Sequence, residues 1–318
     1  MSAVDLKSKS PPYKFFRASQ GAIRHVSFDY SGRYCLTSGC DKSVKLWRPD
    51  LETLLFKYSG HSDEVLQSFA TRDNSKFISA GKDAKVLLWD VASGKVLRKY
   101  YNFIGAVTSI ALCHDDSTDG RNEAQMFFAG GSDGKLNGFD LRCVSSQPVI
   151  LFDEARDAIS SLDVGKNSIA FSTASGTLFS FDLANFKAFK DQLTASSEAI
   201  NCIKLINSGA ACLISSNDNR VSLINLKNGS LYADLNLGNI NFGGYKIEFD
   251  IDANEDKFLC GSSNSEIFEF DMNKRALSKI HKVKEFNVIN CVSLCKKREV
   301  EEDRLRFIAS SEDYLICF

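Results

Sequence analysis

Histidine is scarce in this chain of 318 residues, at four, and so are proline at four, methionine at three and tryptophan at two. An enzyme site or a metal centre needs several donors converging on one point, and His25, His61, His114 and His281 lie far apart along the chain. No excess of one charge is present either: Lys plus Arg is 39 and Asp plus Glu is 40, a net charge of -1. That balance removes the bulk electrostatic case for nucleic acid or an anionic membrane surface. No uncharged stretch approaches the ~18 residues of a spanning helix. The first twenty residues carry Asp5, Lys7, Lys9, Lys14 and Arg17 in place of an apolar signal segment, so the chain is expected to be neither secreted nor membrane-embedded. Ten cysteines are too sparse for a disulfide scaffold. Most sit in apolar runs such as Tyr34-Cys35-Leu36 and Ala211-Cys212-Leu213, where cysteine behaves as a small hydrophobe. They read as reduced thiols of a protein of the cytoplasm and nucleus.

What is plentiful is phenylalanine, at 24, with 20 glycines, a mix suited to short strands and tight turns. Hydrophobic residues make up 44% and charged residues 25%, values of a globular chain with a sizeable core. Single cores stop growing at roughly 250 to 300 residues, a limit that a repeated architecture escapes. Four successive strands are legible at Val65 to Phe69, Lys76 to Ala80, Lys85 to Trp89 and Val96 to Tyr101. Ser93-Gly94 and Asn228-Gly229 mark hairpins, the second predicting a two-residue type I′ loop.

A run ending in a bulky apolar residue, usually followed by Asp, recurs at Trp47, Trp89, Phe139, Phe181, Ile224, Phe270 and Phe318. The steps are 42, 50, 42, 43, 46 and 48 residues, close to the ~40 to 45 of a four-stranded propeller blade. Asp41, Asp83, Asp133 and Asp218 each lie six residues before their anchor, a second mark in phase with the first. In the second unit His61, Ser79, Asp83 and Trp89 have the spacing of a buried hydrogen-bonded tetrad. In the first, Thr37, Asp41 and Trp47 remain, with Ser19 at the histidine position. The third has Phe103 and Ala129 at tetrad positions, so packing is expected to hold the eroded units.

The seventh unit runs out at its third strand, whereas an apolar segment, Tyr13 to Arg17, precedes the first. An open propeller would expose two unpaired edges. The expectation is an all-β, seven-bladed WD40-type β-propeller over residues 13–318, closed by an N-terminal strand that completes the last blade, after a flexible tail over residues 1–12.

With Gly60-His61 and Trp89-Asp90 in place, the chain resembles a WD-repeat protein. Its longer strings are similar to those of the mitogen-activated protein kinase organizer family. They include Tyr34 to Thr37 leading to Asp41-Lys42 and Lys45-Leu46-Trp47, then Tyr58 to His61, then Leu88 to Gly94. Asp153-Glu154-Ala155-Arg156-Asp157 is the most specific, because it belongs to no generic WD pattern. The resemblance implies an adaptor that gathers kinase-cascade components, and alternatively a protein subunit associated with the spliceosome in pre-mRNA splicing. It departs in the third and the last three units, which lack the usual Gly-His and Trp.

The search for chemistry yields no catalytic set and no cofactor motif. His61 is accounted for by the tetrad, and His25 and His281 read as surface or rim residues. Cys113-His114 with Asp115 and Asp116 lacks paired zinc-ligand spacing, and Cys291 with Cys295 has no second pair. Gly130 to Lys135 resembles a phosphate loop but is one residue short, and Leu136 stands at the Ser/Thr position. Lys279 to Lys284 and Lys296-Lys297-Arg298 are diluted by Glu299, Glu301, Glu302 and Asp303, which argues against direct nucleic-acid binding.

Partner proteins are therefore the expected ligands, for a chain that is monomeric alone. The charged loops after 114 and 296 lengthen the bottom face and are candidate contacts. On the opposite face the candidates are Arg24, Glu64, Lys82, Arg156, Asp157, Tyr245 and Lys246. Arg156 and Tyr245 rank above the lysines, because Arg and Tyr anchor interfaces most effectively.

Overall fold

The computed structural model describes residues 13–318 except 115–123, 154, 184–187, 195, 197, 207–208, 236–237, 239 and 296–306. It contains seven four-stranded antiparallel sheets. Blade 2 shows the plan, with strands Val65–Ala70, Lys76–Gly81, Val86–Asp90 and Val96–Tyr100 running outwards in sequence order. The innermost strands of the seven blades are Ile23–Phe28, Val65–Ala70, Val107–His114, Ile159–Val164, Ile200–Ile206, Phe249–Ile251 and Cys291–Leu294. Within each blade burial follows position. The second strands Cys35–Gly39 and Ala211–Ser216 are buried throughout, whereas the outer strand Thr53–Ser59 buries only Tyr58.

Hydrophobic cores lie between blades rather than within them. Leu36 and Val44 of blade 1 pack with Phe77, Leu87 and Trp89 of blade 2, and equivalent clusters recur around the ring. This is why the fold grows by repetition, since each sheet covers its neighbour's apolar face.

Adjacent innermost strands belong to different sheets, so the polar backbone groups facing the next blade need other partners. Side chains supply them at every junction. Ser27 Oγ donates to Ser68 O at 2.9 Å, Ile110 N to Gln67 Oε1 at 2.9 Å, and Leu162 N to Ser109 Oγ at 3.1 Å. Ile203 N donates to Ser161 Oγ at 3.1 Å, and the Cys202 thiol to Phe249 O at 3.8 Å. Leu294 N donates to Asp250 Oδ2 at 3.0 Å, and Phe28 N to Ser293 Oγ at 3.1 Å. Seven such links at about 0.5–1.5 kcal/mol each explain why serine and other polar residues occupy otherwise apolar first strands.

The ring closes through its ends. Lys14–Arg17 pairs antiparallel with Tyr314–Cys317, placing Phe16 opposite Leu315. Arg17 Nε donates to Asp313 Oδ2 at 2.7 Å, Gln20 N donates to Asp313 Oδ1 at 2.5 Å, and Tyr13 Oη donates to Glu285 Oε2 at 2.6 Å.

The structure revises several sequence expectations. The two marked hairpins are four-residue loops, so Asn228-Gly229 does not form the expected two-residue type I′ loop. Gly94 N reaches Asp90 O and Gly229 N reaches Asn225 O at 3.1 and 2.8 Å. In each loop only the glycine has positive φ, +68° and +70°, whereas type I′ requires two such residues. Gln20, not Ser19, fills the histidine position of blade 1. Its side chain bonds Thr37 Oγ1 and the Ser43 carbonyl, and Trp47 Nε1 donates to Thr37 Oγ1 at 2.9 Å. Ser19 is exposed and left-handed, at φ +53°.

His25 is not a surface residue, being 4% exposed. His281 is half-buried on the outer strand Ala276–Lys282, between Glu269, at 3.2 Å, and the rings of Phe307 and Phe318. Packing holds the units without a tetrad, with aromatic stacks in the core of blades 3 and 4 and aliphatic side chains such as Ile203, Ile214 and Ile224 in blade 5. In blade 3 Phe127 stacks on Phe139 at 4.8 Å and meets Tyr100 at 4.9 Å. In blade 4 Phe171 stacks on Phe179 at 4.9 Å. None of the ten cysteines is disulfide-bonded. No helix among the described residues is long and apolar enough to cross a membrane.

Candidate functional site

The axis of the ring is a channel with two chemically distinct levels. Its upper mouth opens among the loops that enter the blades and the turns between second and third strands. A cavity of about 600 Å³ lies there, lined by Arg24, Lys82, Tyr245 and Lys246 among others. These four sequence candidates come from blades 1, 2 and 6, brought to one point because each follows or precedes a first or second strand at its upper end. Glu64 joins them. Its Oε2 accepts from Arg24 Nε at 3.0 Å and lies 3.0 Å from Lys82 Nζ. Burial alone would raise the Glu64 carboxyl, but Lys82 and Arg24 hold it below the usual carboxylate range.

Tyr245 is 54% exposed, beside an apolar lining that includes Leu66, Ile159 and Ile200. Lys246 Nζ spans the mouth to Thr108 O of blade 3 at 3.2 Å and lies 3.3 Å from Glu248 Oε1. A rim of paired charges, with Glu248 and Glu312 also lining it, over an apolar floor is suited to a protein segment that carries both polar and apolar side chains.

Arg156 and Asp157 are not among the residues lining this cavity. Asp157 is engaged locally, accepting from Ser175 N at 2.7 Å and Ala158 N at 2.8 Å, so it ties the loop entering blade 4 to that blade's own turn. Arg156 is exposed, in a left-handed conformation at φ +55°, and bonds no described residue. Of these two neighbouring candidates, Asp157 is thus held within its own blade and Arg156 stands exposed outside the cavity. Glu154 and the charged loops over 115–123 and 296–306 lie outside the described residues.

Below the mouth the channel is lined by first-strand residues of all seven blades around about 200 Å³. Sequence reasoning missed its chemistry entirely. His25 of blade 1 points Nε2 to within 3.6 Å of Glu248 Oε2, and its ring packs edge-on against Phe69 at 4.7 Å. Burial pushes the His25 imidazole down to about 4, more than the adjacent Glu248 restores. Glu248 would be raised by burial, but Lys246 and the Gln67 amide, which donates to Oε1 at 2.7 Å, keep it below the usual range. The Cys291 thiol lies 3.6 Å from Glu248 Oε2, and burial pushes it well up. One level on, Lys204 approaches Asp250 at 3.9 Å; burial disfavours its charge, yet Asp163 and Asp250 raise its pKa above the ordinary lysine value.

The tetrad of blade 2 sits away from this channel. His61 Nδ1 lies 2.9 Å from Asp83 Oδ1, His61 Nε2 lies 2.8 Å from Ser79 Oγ, and Trp89 Nε1 donates to Ser79 Oγ at 2.8 Å. None of these four side chains lines either level of the channel, and their work is structural.

Comparison with known proteins adds lineage to this geometry. Residues 10–48 and 52–90 match the WD domain, G-beta repeat, and residues 139–318, more than half of the chain, match the Pep3/Vps18/deep orange beta-propeller domain. WD repeat domain-containing protein 83 of Homo sapiens is 34% identical over 83% of this chain and 80% of its own length. The Rattus norvegicus protein of that name is 33% identical over the same shares. The homolog in Dictyostelium discoideum is 30% identical over 47% of this chain, a match that spans 43% of the relative.

Proposed function

The chain belongs to the WD-repeat β-propeller family of WD repeat domain-containing protein 83, its later blades falling also within the Pep3/Vps18/deep orange propeller domain, and from that premise we propose that it is a non-enzymatic scaffold that assembles multiprotein complexes. The observation that carries the reading is the upper mouth, where Arg24, Lys82, Tyr245 and Lys246 converge from three blades on one cavity. Scaffolds need rigid, separated surfaces, and a ring stitched at every blade junction supplies them. The likeness to the mitogen-activated protein kinase organizer supports kinase-cascade components as the proteins gathered, in the cytoplasm and nucleus.

The test is affinity purification of the full chain against a double variant, Arg24→Glu with Tyr245→Ala. Removing an aromatic anchor and inverting a rim charge is expected to cost a bound protein at least about tenfold in recovery. The thermal midpoint should stay within a few degrees of the parent, since Tyr245 belongs to no inter-blade core and the Arg24–Glu64 pair that is lost between blades 1 and 2 is partly exposed. A partner set unchanged by the variant would place the docking surface elsewhere. An inventory made of splicing components, with no kinase-cascade protein, would replace the signalling reading with association to the spliceosome.

A further inference from the structure

Three side chains that sequence spacing could not connect meet inside the channel: His25 of blade 1, Glu248 entering blade 6 and Cys291 of blade 7. Their donor atoms all lie within 4.8 Å of one another. We propose that this trio is a binding site for a single thiophilic divalent ion of the Zn²⁺ type, held by His25 Nε2, Glu248 Oε2 and Cys291 Sγ, with water from the channel in the fourth position.

Geometry is the first support. Ligands at about 2.0–2.3 Å in a tetrahedral arrangement lie about 3.3–3.6 Å apart. Glu248 Oε2 is 3.6 Å from both His25 Nε2 and Cys291 Sγ. The second support is how the carboxylate is used. Gln67 and Lys246 both approach Oε1, at 2.7 and 3.3 Å, which fixes the group and leaves Oε2 turned towards the other two donors. Outer-shell hydrogen bonds of this kind orient ligands in metal sites.

Third, His25 has little structural work where it stands. Nε2 is beyond hydrogen-bond distance of the carboxylate, so no hydrogen bond of the fold occupies the atom offered to the ion. The ring is held in orientation by the edge-on contact with Phe69.

Charge fits as well. The channel cavity around and below this level is lined by the carboxylates of Asp29, Asp163, Glu248 and Asp250 and by the ammonium of Lys204, with Lys246 3.3 Å from Glu248. The Cys291 thiol now has Glu248 Oε2 at 3.6 Å and Val26 O at 3.5 Å as acceptors. As the ion binds, the Sγ–H bond breaks, its electron pair becomes the metal–sulfur bond, and the proton leaves through the channel to solvent. Two of the three ligands, the Glu248 carboxylate and the Cys291 thiolate, are then anionic and match the charge of the dication. A thiolate with imidazole and a single carboxylate selects Zn²⁺ over Mg²⁺ or Ca²⁺, which take oxygen ligands.

The test uses the full chain, purified without a histidine tag, stripped with chelator and dialysed. Co²⁺ serves as a spectroscopic probe, because a bound thiolate gives a near-ultraviolet charge-transfer band and four-coordination gives strong visible absorption. One equivalent should produce both signals, with about one proton released, and one equivalent of Zn²⁺ should bleach them. Cys291→Ser should abolish the charge-transfer band, and His25→Gln should weaken Zn²⁺ binding by about tenfold or more. Cys143→Ser, at an exposed thiol, should change nothing. A parent protein without a saturable one-equivalent thiolate band overturns the proposal whatever the variants do, and so does a band that survives in folded Cys291→Ser or disappears in Cys143→Ser.

Discussion

At the scale of single residues, stability is concentrated where a buried polar group depends on one partner. Gln20 is 1% exposed and holds together Thr37, Asp41 and Ser43. Gln20→Ala should therefore lower the unfolding free energy by about 1–3 kcal/mol through orphaned partners. Ser19→Gly should be neutral or slightly stabilising, because φ +53° is the conformation glycine prefers. Denaturant unfolding of the two variants separates Gln20 from Ser19 as the cap of blade 1. His61→Ala should cost a similar 1–3 kcal/mol by stranding Asp83 and Ser79.

Asp83 also carries a pH signature. Burial disfavours its charge, but His61 and the Ser62 N–H more than compensate and bring its carboxyl down to about 2. A carboxyl depressed in the folded state stabilises fully above its unfolded value near 4, and that contribution is lost as pH falls from about 4 through 2. It amounts to about 2 kcal/mol. In urea titrations between pH ~5 and ~2, the stability gap between parent and Asp83→Asn should narrow by that amount. Other depressed carboxyls, among them Glu269, Glu64 and Glu248, are untouched by the substitution and cancel in the comparison. The blade 2 tetrad was legible from spacing because all four positions fall within one repeat. Gln20 was not, since a neutral amide replaces the imidazole one residue away from the aligned serine.

Among the elements, the outer strand of blade 7 matters most, because it alone comes from the other end of the chain. Phe16 packs on Trp47 at 5.2 Å while its backbone pairs with Leu315. Removing residues 1–17 would expose the edge of Tyr314–Cys317 and uncover apolar surface on blades 1 and 7. The shortened protein is expected to form higher-mass species in light scattering where the full chain stays monodisperse. That closure could be inferred from sequence by counting strands. The hairpin geometry could not, since Asn-Gly serves more than one loop length and the register of Asn225 with Ser230 decides between them.

For the whole molecule, the ring converts sequence separation into proximity, and the two channel levels depend wholly on it. The mouth joins Arg24 to Tyr245 and the level beneath it joins His25 to Cys291, which stand far apart in the chain but hold the same place in the first strands of blades 1 and 7, opposite Ser38 and Ser310. Loss of partners with an unchanged midpoint in the mouth variant, and loss of the cobalt–thiolate band with retained fold in Cys291→Ser, would show the two levels acting independently. The amino-acid order alone determined the count of blades, the hydrogen-bonded array of blade 2 and the pairing of the two ends, because each is written in local alternation, turn residues and a period that chance does not keep in phase. Only the folded ring decided which charged side chains share a cavity, that Asp157 is bound within its own blade, and that an imidazole, a carboxylate and a thiol converge. Those outcomes depend on how seven sheets rotate about a common axis, and that rotation comes from packing between blades rather than from any one stretch of chain.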